Sequence, residues 1–89
     1  MKMILMSGLP SSSLAVLPPG QRAVVSALSL PEREAVWLRA VGLGEGVEVT
    51  VLRRAPFGGP LHLRTGGGAE LAVDRALARH VGVAAGAPV

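Results

Sequence analysis

Metal-ligand and proton-transfer chemistry in this sequence rests on few side chains. The candidates are His62, His80, Glu48, Glu70 and Asp74, and none stands at a recognised ligand spacing such as His-x-x-x-His. If residues 61–65 and 69–73 pair as a hairpin around Gly66-Gly67-Gly68, His62 and Glu70 fall on its outward surface. Together with His80 they are the candidate ligands of a weak site for a divalent transition metal, and no cofactor is required. Hydrolytic chemistry has less support. The serines are Ser7, Ser11, Ser12, Ser13, Ser26 and Ser29, and none lies in a Gly-x-Ser-x-Gly elbow. A carboxylate pair for acid–base work needs a deep pocket, which 89 residues are too few to enclose, so no enzyme is expected.

Binding chemistry has more to work with. Arg53, Arg54 and Arg64 gather near one end of a central hairpin, an arrangement suited to phosphate or to an acidic protein surface. Single-strand nucleic-acid binders also need aromatic platforms. Trp37 and Phe57 are the whole aromatic inventory, so no nucleic-acid partner is expected. Phe57 lies in Ala55-Pro56-Phe57-Gly58-Gly59-Pro60, between two strand-like runs. The glycines there permit positive φ angles or close backbone approach, and the prolines restrict the entry and exit of the turn. A merely structural turn works as well with a polar residue at that place. Phe57 is therefore read either as an exposed anchor for a partner or as a plug over the open end of a barrel.

The totals bound the remaining choices. Eighty-nine residues make one small domain, and with no cysteine its stability must come from an apolar core, which a 49% hydrophobic content can supply. The net charge of +3 is small enough to need no partner at all. No apolar run approaches the ~20 residues of a membrane span. Met1–Met6 (MKMILM) begins like a signal peptide, but Ser7, Gly8 and Pro10 cut its apolar region short of the ~7–15 residues expected. A soluble, unprocessed cytoplasmic protein without membrane insertion is the expectation.

The elements that must position these side chains follow from local pattern. Residues 1–13 read as a flexible lead-in, 14–83 as the folded domain and 84–89 as a tail. Leu17-Pro18-Pro19-Gly20 turns the chain into a first strand over 21–28. Ser29 and Glu32 have the spacing of a capping box opening a helix over about 31–41, with Ala35, Leu38 and Val41 on its inner face. Trp37 is expected to pack across this helix onto the barrel. Gly42 ends the helix in the left-handed conformation and Leu43 folds back onto the core. Residues 47–53 alternate, with Val47, Val49 and Val51 inward. Strands over 61–65 and 69–73, a helical turn over 74–79 and a last strand over 80–83 complete the pattern. About five short strands with one inserted helix predict a mainly β fold, a small and strongly bent barrel.

The order of motifs resembles the FeoA family over residues 14–83. The residues that carry the likeness are Leu17-Pro18-Pro19-Gly20, Leu38-Arg39-Ala40-Val41-Gly42-Leu43, Gly46-Val47-Glu48-Val49-Thr50-Val51, Ala55-Pro56-Phe57-Gly58-Gly59-Pro60-Leu61 and Leu71-Ala72-Val73. The resemblance implies an SH3-like barrel and a cytoplasmic, non-catalytic adaptor or regulator of bacterial ferrous-iron uptake. It also implies a partner, the cytosolic GTPase portion of a FeoB-type permease. The contact is expected at Pro56, Phe57, Gly58, Gly59 and Trp37, with Arg53 and Arg54 steering an acidic surface. Two positions depart from the family pattern. Trp37 stands where many relatives carry a basic residue, and Glu45 replaces a common proline, which predicts a looser turn after the helix. The alternatives are a nucleic-acid-binding or metal-repressor accessory barrel, and a direct Fe2+-binding protein that depends on His62 and His80. An unpaired strand edge on so small a barrel also leaves room for a homodimer.

Overall fold

A computed structural model describes residues 11–85. Six strands form one antiparallel sheet, β1 (Ser11–Ser13), β2 (Arg22–Leu28), β3 (Glu48–Arg54), β4 (Leu61–Thr65), β5 (Glu70–Val73) and β6 (Val81–Ala85). Their spatial order is β1-β6-β2-β3-β4-β5. A 3-10 turn, Leu14–Val16, follows β1, helix α1 (Glu32–Ala40) joins β2 to β3, and the single-turn α2 (Arg75–Ala78) joins β5 to β6.

The alternation read in the sequence is the inward row of the sheet. Val25, Val49, Val51, Leu61, Leu63, Val81 and Val83 are buried, while Glu48, Arg53 and Arg64 lie outside. Leu14, Leu38 and Leu43 cover this row from the 3-10 turn, α1 and the loop that follows it. Bulges between Val25 and Ala27 and between Val51 and Arg53 bend the two central strands, which lets one short sheet wrap a single core.

Two strands reach beyond the expected domain limits. Ser11–Ser13, placed in the lead-in, pair with Val83-centred residues of β6, and β6 itself continues to Ala85. The lead-in over residues 1–10 and the tail over 86–89 lie outside the described residues.

Helix α1 ends as expected and starts differently. Gly42 has φ +101°, its N–H donates to the Arg39 carbonyl, and the Leu43 N–H donates to the Leu38 carbonyl at 2.9 Å. This is a complete Schellman stop, and its two apolar residues, Leu38 and Leu43, are both fully buried. The capping box does not form. Pro31 occupies the cap position without a side-chain hydrogen bond, and the Ser29 N–H donates to the His80 carbonyl. Continued pairing of the chain after β2 thus takes Ser29 away from the helix end. Glu32 and Glu34 in the first turn still complement the helix dipole.

The turn after α1 is tied down by Glu45, contrary to the expected looseness. Arg39 donates Nε–H to Oε1 and an NH2 hydrogen to Oε2 of Glu45, each at 3.0 Å. This fork of hydrogen bonds lowers the Glu45 carboxyl from the ordinary value near 4.5 to about 2. A depressed folded-state value means the pair stabilises the fold fully above about pH 4.5 and is lost as pH falls toward 2. An NMR titration of the Glu45 side-chain carboxyl should give a midpoint near 2, and Arg39→Gln should return it to the ordinary range. A wild-type midpoint in the ordinary range would contradict the fork.

Candidate functional site

The hairpin between β3 and β4 ends in a tight turn held from beneath. The Ala55 N–H donates to the Pro60 carbonyl at 3.0 Å and the Gly59 N–H to the Pro56 carbonyl at 3.1 Å. Both central residues of the inner turn have positive φ, Phe57 at +60° and Gly58 at +73°, the pattern of a type I′ turn. That turn suits the right-handed twist of the flanking strands, and asparagine or glycine usually fills its first central place. A phenylalanine there is an outlier, since the left-handed region costs an L-residue about 1–2 kcal/mol.

Phe57 gains nothing from burial in return. Its relative exposure is 103%, so the ring stands clear of the protein and does not plug the barrel. Pro56 and Gly58 beside it are exposed as well. Gly59 is needed for a different reason, because a Cβ there would meet the Ala55 Cβ at 2.8 Å.

Arg75 fixes the base of this turn. From α2 its Nε–H donates to the Gly59 carbonyl and an NH2 hydrogen to the Ala55 carbonyl, both at 3.1 Å. One planar guanidinium thereby bridges the two arms of the loop. Arg75 was not among the residues expected at the site. Its only signal in the sequence is its place in the turn after β5, and its partners lie 16 and 20 positions away.

The other expected residues divide. Arg54 donates to the Leu17 carbonyl at 3.0 Å and is half-buried, so it anchors the Leu17-Pro18-Pro19-Gly20 turn to β3. Arg53 is exposed and lines an open cleft on the outer sheet face with Leu52, His62, Arg64 and Glu70. Arg64 and Glu70, opposite one another in the β4–β5 ladder, form an ion pair at 3.3 Å. Trp37 does not pack onto the barrel. It is 58% exposed on α1 beside Val36, which is 53% exposed, because Ala35 and Leu38 take the buried face of the helix.

The three candidate metal ligands are not brought together. His62 and Glu70 share the cleft, whereas His80 follows α2 and is not part of its lining. Among the described residues no group of three or more His, Asp or Glu side chains converges as a metal ion would require.

Two substitutions check the turn. Phe57→Asn should raise stability to chemical denaturation by about 0.5–1 kcal/mol, since asparagine tolerates positive φ and no buried area is lost. A loss of stability would mean that the ring packs on the barrel after all. Arg75→Leu should cost roughly 1–2 kcal/mol, because two loop carbonyls lose a charged donor, and an unchanged denaturation midpoint would show that the bridge is idle.

Comparison with known proteins adds the family. A model of the FeoA domain matches residues 12–85. A crystallised iron uptake regulatory protein (FeoA) is 28% identical, with a TM-score of 0.74 over 85% of this chain and 97% of its own. FeoA of Chlorobium tepidum is 31% identical, with a TM-score of 0.77 over 84% of this chain and 70% of its own. FeoA of Stenotrophomonas maltophilia, solved complexed with zinc and described as a prokaryotic SH3 domain protein, is 32% identical, with a TM-score of 0.65 over 80% of this chain and 87% of its own. No curated protein matches the chain. The matched span takes in every strand but the first residue of β1, the helix stop at Gly42-Leu43 and the Phe57 turn, and the chain belongs to the FeoA domain family of small SH3-like proteins related to ferrous-iron transport.

Proposed function

We propose that this protein is a non-catalytic cytoplasmic regulator of ferrous-iron uptake that acts by contact with the cytosolic GTPase portion of a FeoB-type permease. The observation that carries the reading is Phe57, fully exposed at the tip of a turn whose backbone it strains. Strain kept at an exposed position without a packing return supports a role in binding. A turn whose backbone the Arg75 bridge already holds at its base loses little main-chain freedom when its tip docks, which favours Phe57 as an anchor. Trp37 offers a second exposed aromatic, and Arg53, exposed and in no ion pair among the described residues, carries positive charge suited to attracting an acidic surface.

Ferrous iron enters this reading as the transporter's cargo. The Stenotrophomonas relative was solved with zinc, whereas among the described residues of this chain no group of three or more His, Asp or Glu side chains converges to hold a metal ion.

Calorimetric titration against the GTPase domain, with and without a GTP analogue, tests the proposal. Saturable binding weakened about tenfold or more by Phe57→Ala is expected, as for the loss of an aromatic anchor. No binding in either nucleotide state, or equal binding by the Phe57→Ala variant, would overturn it.

A further inference from the structure

Among the described residues strand β5 is the last of the sheet and pairs with β4 on one side only. The Thr65 N–H donates to the Ala69 carbonyl at 2.8 Å, which fixes the phase of the ladder. Hydrogen-bonded and non-hydrogen-bonded pairs alternate along antiparallel strands. Leu63 with Leu71 and Leu61 with Val73 are therefore bonded pairs, and Arg64 with Glu70 and His62 with Ala72 are not. The backbone N–H and C=O groups of Glu70 and Ala72 consequently point away from β4, along the open edge. Ala69, Glu70 and Ala72 are exposed, and β5 has no proline, lysine or bulge to blunt that edge.

We propose that this edge receives a second copy of the chain, β5 against β5, antiparallel about a two-fold axis at Leu71. Glu70 then exchanges two backbone hydrogen bonds with the partner's Ala72, and Ala72 two with the partner's Glu70. Charge selects this register. A two-residue shift one way sets Glu70 opposite the partner's Glu70, and the other way opposite the partner's Asp74, and like charges directly opposite destabilise a sheet. In the proposed register each Glu70 faces an alanine instead. The small Ala72 side chain leaves the incoming carboxylate room to extend toward His62, the outward neighbour of Ala72 on β4. On the inner face Leu71, half-buried in one copy, meets the partner's Leu71 as a close non-hydrogen-bonded pair. The contact is small, so the dimer is weak and reversible.

Sedimentation equilibrium of the full chain from micromolar to millimolar concentration tests this, with Ala72→Lys and Ala72→Glu as exposed variants that leave the core untouched. A monomer–dimer equilibrium is expected, tightened about tenfold by Ala72→Lys and weakened about tenfold by Ala72→Glu, because the altered pair occurs twice per dimer. In a chain with no cysteine of its own, a Glu70→Cys, Ala72→Cys double variant should cross-link as a dimer under oxidation. A chain that stays monomeric throughout, or that dimerises equally in all three forms, overturns the proposal.

Discussion

Inward rows of valine and leucine must do nearly all the stabilising work in this fold. With no cysteine there is no disulfide, so apolar burial alone must offset the entropy of ordering a short chain. The rows are short, and one sheet can close over them only by bending. Bulges in β2 and β3 supply the bend, and α1 with the 3-10 turn supplies the cover. The Schellman stop sits where these requirements meet. It ends α1, reverses the chain and delivers Leu43 beneath Leu38 in one step.

That core lets the hairpin tip carry strain. A left-handed phenylalanine costs stability wherever it occurs, and nothing at the tip repays it locally. The surrounding structure holds it in place instead: two backbone hydrogen bonds across the loop, a Gly59 that admits the close approach of Ala55, and Arg75 beneath both arms. The outcome is an aromatic ring presented on a firm base. This combination differs from an apolar residue merely left on a surface.

Electrostatics follow the same economy of parts. Arg22, Arg39 and Arg64 pair with Glu48, Glu45 and Glu70, while Arg54 and Arg75 are spent on backbone carbonyls. The arginine excess that raises the isoelectric point is therefore mostly structural.

Much of this was legible in the sequence because it depends on local rules. Strand alternation placed Val49, Val51, Leu61 and Leu63 inside, and the Gly42-Leu43 pair marked the helix stop, since side-chain period and glycine's access to positive φ are properties of a few consecutive residues. The unusual setting of Phe57 was visible too, but not its outcome, because anchor and plug differ only in where the ring goes relative to distant strands. The capping box, the burial of Trp37 and a loose turn at Glu45 were expected and did not appear. Ser29 was claimed by the His80 carbonyl, Ala35 and Leu38 took the inner helix face, and Arg39 reached Glu45. The strand at Ser11–Ser13 depends on a partner near the other end of the chain. Arg54 and Arg75 found their carbonyls 37 and 20 positions away. Composition and period thus determined the elements and their inward faces. Tertiary structure alone decided which long side chains became props and which stayed free to bind, because a hydrogen bond between distant residues exists only once the fold has brought donor and acceptor together.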